Sequence, residues 1–182
     1  GIVELETLDI ANPIYREIIP RELTAVTTEL ITQTASPFKN ADGSLNMTSL
    51  LDAFTVFYRE NSTIWLEKFD YKEAGPHLLL MAFLQRVING GGTIQREYAL
   101  GTGRVDILLK WVKQTIVIEL KIFHSARSLS DGLLQTAKYM DNSGATEGHL
   151  VLFDRDPKKS WEEKIFHLNE AVNGKIIHVW GC

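Results

Sequence analysis

The 182-residue chain is 45% hydrophobic and 23% charged, which excludes wholesale disorder and fits one globular domain or a small domain with an extension. Its net charge of −4 is uneven: residues 1–70 carry 5 basic against 11 acidic side chains, and residues 71–182 carry 14 against 12. Nucleic-acid binders usually show a basic patch, and the second part is only mildly basic, which neither establishes nor excludes a nucleic-acid partner.

No apolar run approaches the roughly 18 residues of a membrane helix; the longest, Leu78 to Leu84, is core-sized. The single cysteine, Cys182, cannot form an internal disulfide, and no secretory signal pattern is evident, so a reducing, cytoplasmic setting is expected. The chain opens on Gly-Ile without a Met, as a processed chain or a piece of a longer one would.

In chain order, "VELETLDI" reads as extended and Asn12-Pro13 as a turn. Pro20 suits the first position of a helix running through Leu23, Val26, Leu30 and Ile31. "SPFKNADGS" breaks that pattern. Asn46 or Thr48 can cap the next helix, in which Met47, Leu50, Leu51, Phe54, Phe57 and Tyr58 recur at steps of three and four. A further short helix is expected around Trp65, Leu66 and Phe69. From Tyr71 the character changes. "PHLLLMAFLQRVI" is apolar nearly all round, the pattern of a buried helix that Pro76 can start and "NGGG" can end. Three strands are expected over 94–100, 105–111 and 115–122, then a helix over 131–140 and a strand over 149–154. "SWEEKIFHLNEAV" reads as a helix and "KIIHVW" as a last strand. The order predicts an α/β fold, a mixed central sheet with flanking helices, over residues 71–182, preceded by a helical extension over 1–70.

Strand parity isolates the chemistry. Side chains alternate faces, so Val105, Ile107 and Leu109 share one face of their strand and Asp106 takes the other. In the next strand Ile116, Ile118 and Leu120 share a face, with Glu119 and Lys121 opposite. Paired as neighbours, the two strands bring Asp106, Glu119 and Lys121 together. Carboxylate oxygens suit a hard cation such as Mg2+, which can activate water and stabilise charge on a phosphate. Lys121 can orient water or contact the phosphate. On spacing alone, ordinary ion pairs at exposed strand ends explain the residues as well, although Asp, Glu and Lys are poor strand formers.

"GRVDILL" followed by "IVIELK" resembles the D…ExK signature of the PD-(D/E)XK nuclease superfamily, with Asp106, Glu119 and Lys121 on the signature positions. The expected element order from Pro76 to the strand at His149 also matches that superfamily's restriction-endonuclease-like αβββαβ core. More narrowly, "ANPIYREIIPREL", "EAGPHLLLMAFLQRVINGGG", "REYALGTGRVD" and "EGHLVLFDRD" look like the C-terminal region of bacterial AAA-like ATP-binding proteins, across nearly the whole chain. In these an ATPase module precedes the nuclease-like domain. No GxxxxGK[ST] loop occurs here, so ATP binding by this chain alone is not expected, and residues 1–70 would be the tail joining such a module.

The resemblance implies a Mg2+- or Mn2+-dependent nuclease acting on DNA. Asp106 and Glu119 would hold the metal and Lys121 would position the water, with Glu73 assisting (Glu97 the fallback) and Gln135 supporting the site. Lys138 and Tyr139 would contact substrate, and Arg104, two residues before Asp106, can either contact phosphate or form a structural pair with a site carboxylate. The alternative is a catalytically silent module of the same fold that binds nucleic acid or a partner of an associated ATPase. Other features read as structure. "GTGRVD" has Asp106 where a dinucleotide loop needs its third glycine, so it is a turn between strands. The histidines lack zinc-site spacing. Arg155, Lys158 and Lys159 read as a solvated loop, and Trp161 and Trp180 as core.

Overall fold

The computed structural model of the protein describes residues 36–68, 74–88, 91–100 and 103–182. The expected strand, turn and helix within residues 1–35 lie outside that set, as does Glu73. Asn46 begins the first long helix: its backbone carbonyl accepts the Leu50 N–H and its side-chain oxygen accepts the Ser49 N–H at 3.0 Å. The helix, α1, runs unbroken over Met47–Lys68, so the separate short helix expected around Trp65 is its continuation. Helix α2 spans Ala74–Ile88 and carries Pro76 in its first turn.

Three antiparallel strands follow: β1 (Gly92–Leu100), β2 (Gly103–Trp111) and β3 (Gln114–Phe123). Glycine at position 92 is required by packing, since a Cβ there would lie 2.8 Å from the Trp111 ring. Helix α3 covers Ala126–Ser143, five residues earlier at its start than the apolar pattern indicated, because Ser125 caps it and accepts the Arg127 N–H. Strand β4 (Glu147–Asp154) then runs parallel to β3.

The next segment departs from expectation. Only Trp161–Lys164 is helical (α4), and Phe166–Val172 is a strand, β5, that pairs antiparallel with β6 (Lys175–Gly181). Asn173 and Gly174 join them with φ of 52° and 75°, the left-handed pair that a tight hairpin turn needs. The result is a six-stranded mixed sheet in the order β1-β2-β3-β4-β6-β5. The α/β class expected from sequence is therefore present.

The sheet separates two cores. On one face α1 and α2 pack against Ile107, Leu109, Ile116, Ile118, Leu120, Val151 and Phe153. On the other, α3 packs through Ala137, Tyr139 and Met140 onto Leu108, Val117, Leu150 and Val179. Phe38, Leu45 and the buried residues of α1 belong to the first core. That segment is also tied to the sheet by polar contacts. The Gln114 side chain accepts the Leu45 N–H at 2.7 Å and donates to the Leu45 carbonyl at 3.1 Å. Trp111 Nε1–H donates to the Gly43 carbonyl, and Lys39 lies over the Trp111 ring. No helix among the described residues is long and apolar enough to cross a membrane.

Candidate functional site

The β2–β3 ladder runs from Trp111↔Gln114 to Ile107↔Ile118. Beyond that pair, the next acceptor is a side chain: Asp106 Oδ2 accepts the Leu120 N–H at 2.8 Å. A carboxylate thus takes the place of a backbone carbonyl at the last rung, which fixes its position against β3. The β2–β3 pairing ends beside a change of face. Val105, expected beside Ile107 and Leu109, packs with Tyr139 and Met140 in the opposite core.

Glu119 and Lys121 project from β3 on the side of α3, as their parity with Val117 requires. Glu119 is buried, and its Oε1 lies 3.2 Å from Lys121 Nζ, whose side chain is 30% exposed. Its other oxygen, Oε2, is buried with no hydrogen-bond partner among the described residues. Burial, reinforced by the Asp106 charge and opposed by Lys121, pushes the Glu119 carboxyl up to about 7. The carboxyl group is therefore under electrostatic stress that a cation would relieve. A buried carboxylate oxygen left without a donor is costly, and such groups call for an explanation such as a bound ion.

Helix α3 supplies the far wall. Gln135 is partly buried and its Oε1 is likewise without a hydrogen-bond partner among the described residues. Tyr139 is buried one turn later; burial, with the Glu119 and Asp106 charges, raises its phenol pKa, and the Arg104 backbone N–H is hydrogen-bonded to it. Gly103 makes that approach possible, because a Cβ there would come within 2.8 Å of the Tyr139 hydroxyl. The turn reading of "GTGRVD" missed this role; a glycine at a strand end is the signal that could have shown it.

The expected residues thus divide. Asp106, Glu119, Lys121 and Tyr139 converge on the α3 side of β2 and β3, and Gln135 lies on α3 one turn before Tyr139. Arg104 and Lys138 are exposed at its margin. Glu97 lies on β1, but its side chain, like all of Glu73, is outside the described set. No group of three or more His, Cys, Asp and Glu residues among the described residues forms a metal cluster. The residues that fit a cation are two carboxylates, a set that suits Mg2+, which retains several waters. No family model, curated protein or solved structure matches the chain significantly.

Proposed function

We propose that the protein is a metal-dependent nuclease with a restriction-endonuclease-like core that hydrolyses phosphodiester bonds in DNA. The observation that carries this reading is the buried Oε2 of Glu119, without a hydrogen-bond partner among the described residues, beside Asp106 and Lys121 at the point where the β2–β3 ladder gives way. The order α2-β1-β2-β3-α3-β4 supports it, since it matches the αβββαβ core of the superfamily that the D…ExK residues resemble.

Asp106 and Glu119 would hold Mg2+ or Mn2+. When bound, the cation supplies a Lewis-acid centre that offsets charge building on the phosphate. The chain's own residues do the rest. Asp106 stays fixed through the Leu120 N–H, so its second oxygen is presented in one place. Lys121, held at Glu119 Oε1, points an ammonium where it can orient an attacking water or neutralise a phosphate oxygen. Gln135, whose carbonyl oxygen has no hydrogen-bond partner among the described residues, would support the site from α3. Sheet and helix bury the site on one side, which strengthens these interactions over their value in water.

The direct test incubates the protein with plasmid and linear DNA in Mg2+ or Mn2+, beside Asp106→Asn and Glu119→Gln. Metal-dependent cleavage by the wild type alone supports the reading; equal background in all three over several substrates refutes it. A silent nucleic-acid-binding module is the second reading, favoured by the want of a third metal-ligating side chain among the described residues. It predicts DNA binding without turnover and without a response to metal.

A further inference from the structure

On the sheet face opposite the site, β4, β5 and β6 bring three imidazoles and an indole together. His149 and His178 stack with ring centroids 5.1 Å apart, and His167 stacks on Trp180 at 3.7 Å with 9° between planes. His167 and His178 are 5.8 Å apart. Trp180 Nε1–H donates to His149 Nδ1 at 3.1 Å, so the ring proton of His149 sits on Nε2 and is donated to Glu147 Oε1 at 2.9 Å. His149 is therefore satisfied at both nitrogens. That tautomer also removes Nε2 as a metal ligand, and the cluster is not a metal site.

His178 differs. Its Nδ1 is buried with no hydrogen-bond partner among the described residues. The imidazolium form carries a proton on both nitrogens, so charging this ring would place an N–H where no acceptor stands among the described residues. The groups that face it are His149 and, beyond it, Glu147 from β4, and His167 from β5. The Lys175–Asp141 pair ties the start of β6 to α3 on the other side of the sheet. Among the described residues, strand β5 is the sheet edge, is mostly exposed, and pairs only with β6.

We propose that His178 is an acid-sensitive latch on the edge strand β5, its protonation favouring release of β5 from β6. Opening β5 removes His167 from the stack and lets water reach the buried nitrogen. Burial and the neighbouring imidazoles already lower the His178 pKa, with Glu147 opposing them. Release would also bare the β6 edge, a row of unpaired backbone groups suited to pairing with another chain.

Hydrogen exchange on the full chain between pH 5 and pH 7.5, corrected for intrinsic rates, tests the latch. One proton taken up on opening raises the β5 opening equilibrium by at most about tenfold per pH unit below about pH 6.5. Peptides covering residues 166–172 should lose protection on that slope while those covering 116–120 hold theirs. His178→Gln and His178→Phe should both abolish the slope. The proposal is overturned if β5 protection does not change with pH, if β5 and β3 change together, or if either folded variant keeps the wild-type slope.

Discussion

Asp106 Oδ2 accepts the Leu120 backbone N–H at 2.8 Å, so one carboxylate both closes the β2–β3 ladder and faces the proposed metal site. The two roles are separable. Asp106→Asn keeps an oxygen that can accept the N–H but removes the charge. It should unfold within about 1 kcal/mol of wild type and lose metal-dependent cleavage. Asp106→Ala strands the N–H and should cost a further 1–3 kcal/mol, roughly. Urea unfolding beside the nuclease assay checks both; equal stability of the two variants would mean the hydrogen bond contributes nothing.

Glu119 sets a pH dependence whose sign is determined. Its folded-state pKa, pushed up to about 7, exceeds the ordinary 4.5, so the folded chain retains a proton that the unfolded chain has released. The stabilisation is complete below about pH 4.5 and is lost as pH rises through about 7. The metal-free protein should thus weaken across that window, by on the order of 3 kcal/mol at most. Glu119→Gln should flatten the trend. Added Mn2+ should raise the Tm of the wild type at pH 8, and chelation should reverse the rise. Thermal unfolding with and without Mn2+ measures each effect, and a Mn2+ response unchanged in Glu119→Gln would dissociate Glu119 from the metal.

Gly103 and Tyr139 form a second coupled pair. Gly103→Ala places a methyl 2.8 Å from the Tyr139 hydroxyl. The clash should cost about 1–3 kcal/mol. Tyr139→Phe removes the oxygen and should recover part of that loss in the double variant. A double-mutant cycle by chemical denaturation yields the coupling directly, and strict additivity would contradict the contact.

Val112, in the β2–β3 turn, has φ of 50° and is 76% exposed. A β-branched residue is strained in the left-handed region, and this one buries little in return. Val112→Gly or Val112→Asn should stabilise the protein by about 1 kcal/mol, read as an upward shift in the urea midpoint. A neutral or destabilising result in both variants would show that the turn carries no strain.

The faces of the candidate residues were more legible than the segment before β6. Alternation in "IVIELK" assigns Glu119 and Lys121 to one side because β3 is paired on both flanks; Asp106, on β2, is tied to β3 by the Leu120 N–H instead. Parity failed at Val105, where β2 loses its β3 partner and regular alternation no longer dictates the face. The segment before β6 misled for another reason. Trp161, Ile165, Leu168 and Val172 recur at steps of three and four, which imitates a helix. The competing signal was Asn173-Gly174, a strong hairpin cue, and pairing with β6 prevailed. The Leu120 N–H contact could not be read from side-chain identities, because its donor is backbone.

Gln114 has a kinetic consequence. Its amide serves both backbone groups of Leu45, a residue 69 positions earlier, in the way a peptide unit of an adjacent strand would. That surrogate rung exists only after the β2–β3 hairpin has placed Gln114 at its turn. The loop bearing Leu45 is therefore expected to dock on a preformed template, after the hairpin and across a long loop closure. In a refolding experiment, Gln114→Ala should speed unfolding and leave the folding rate nearly unchanged, marking this dock as a late event.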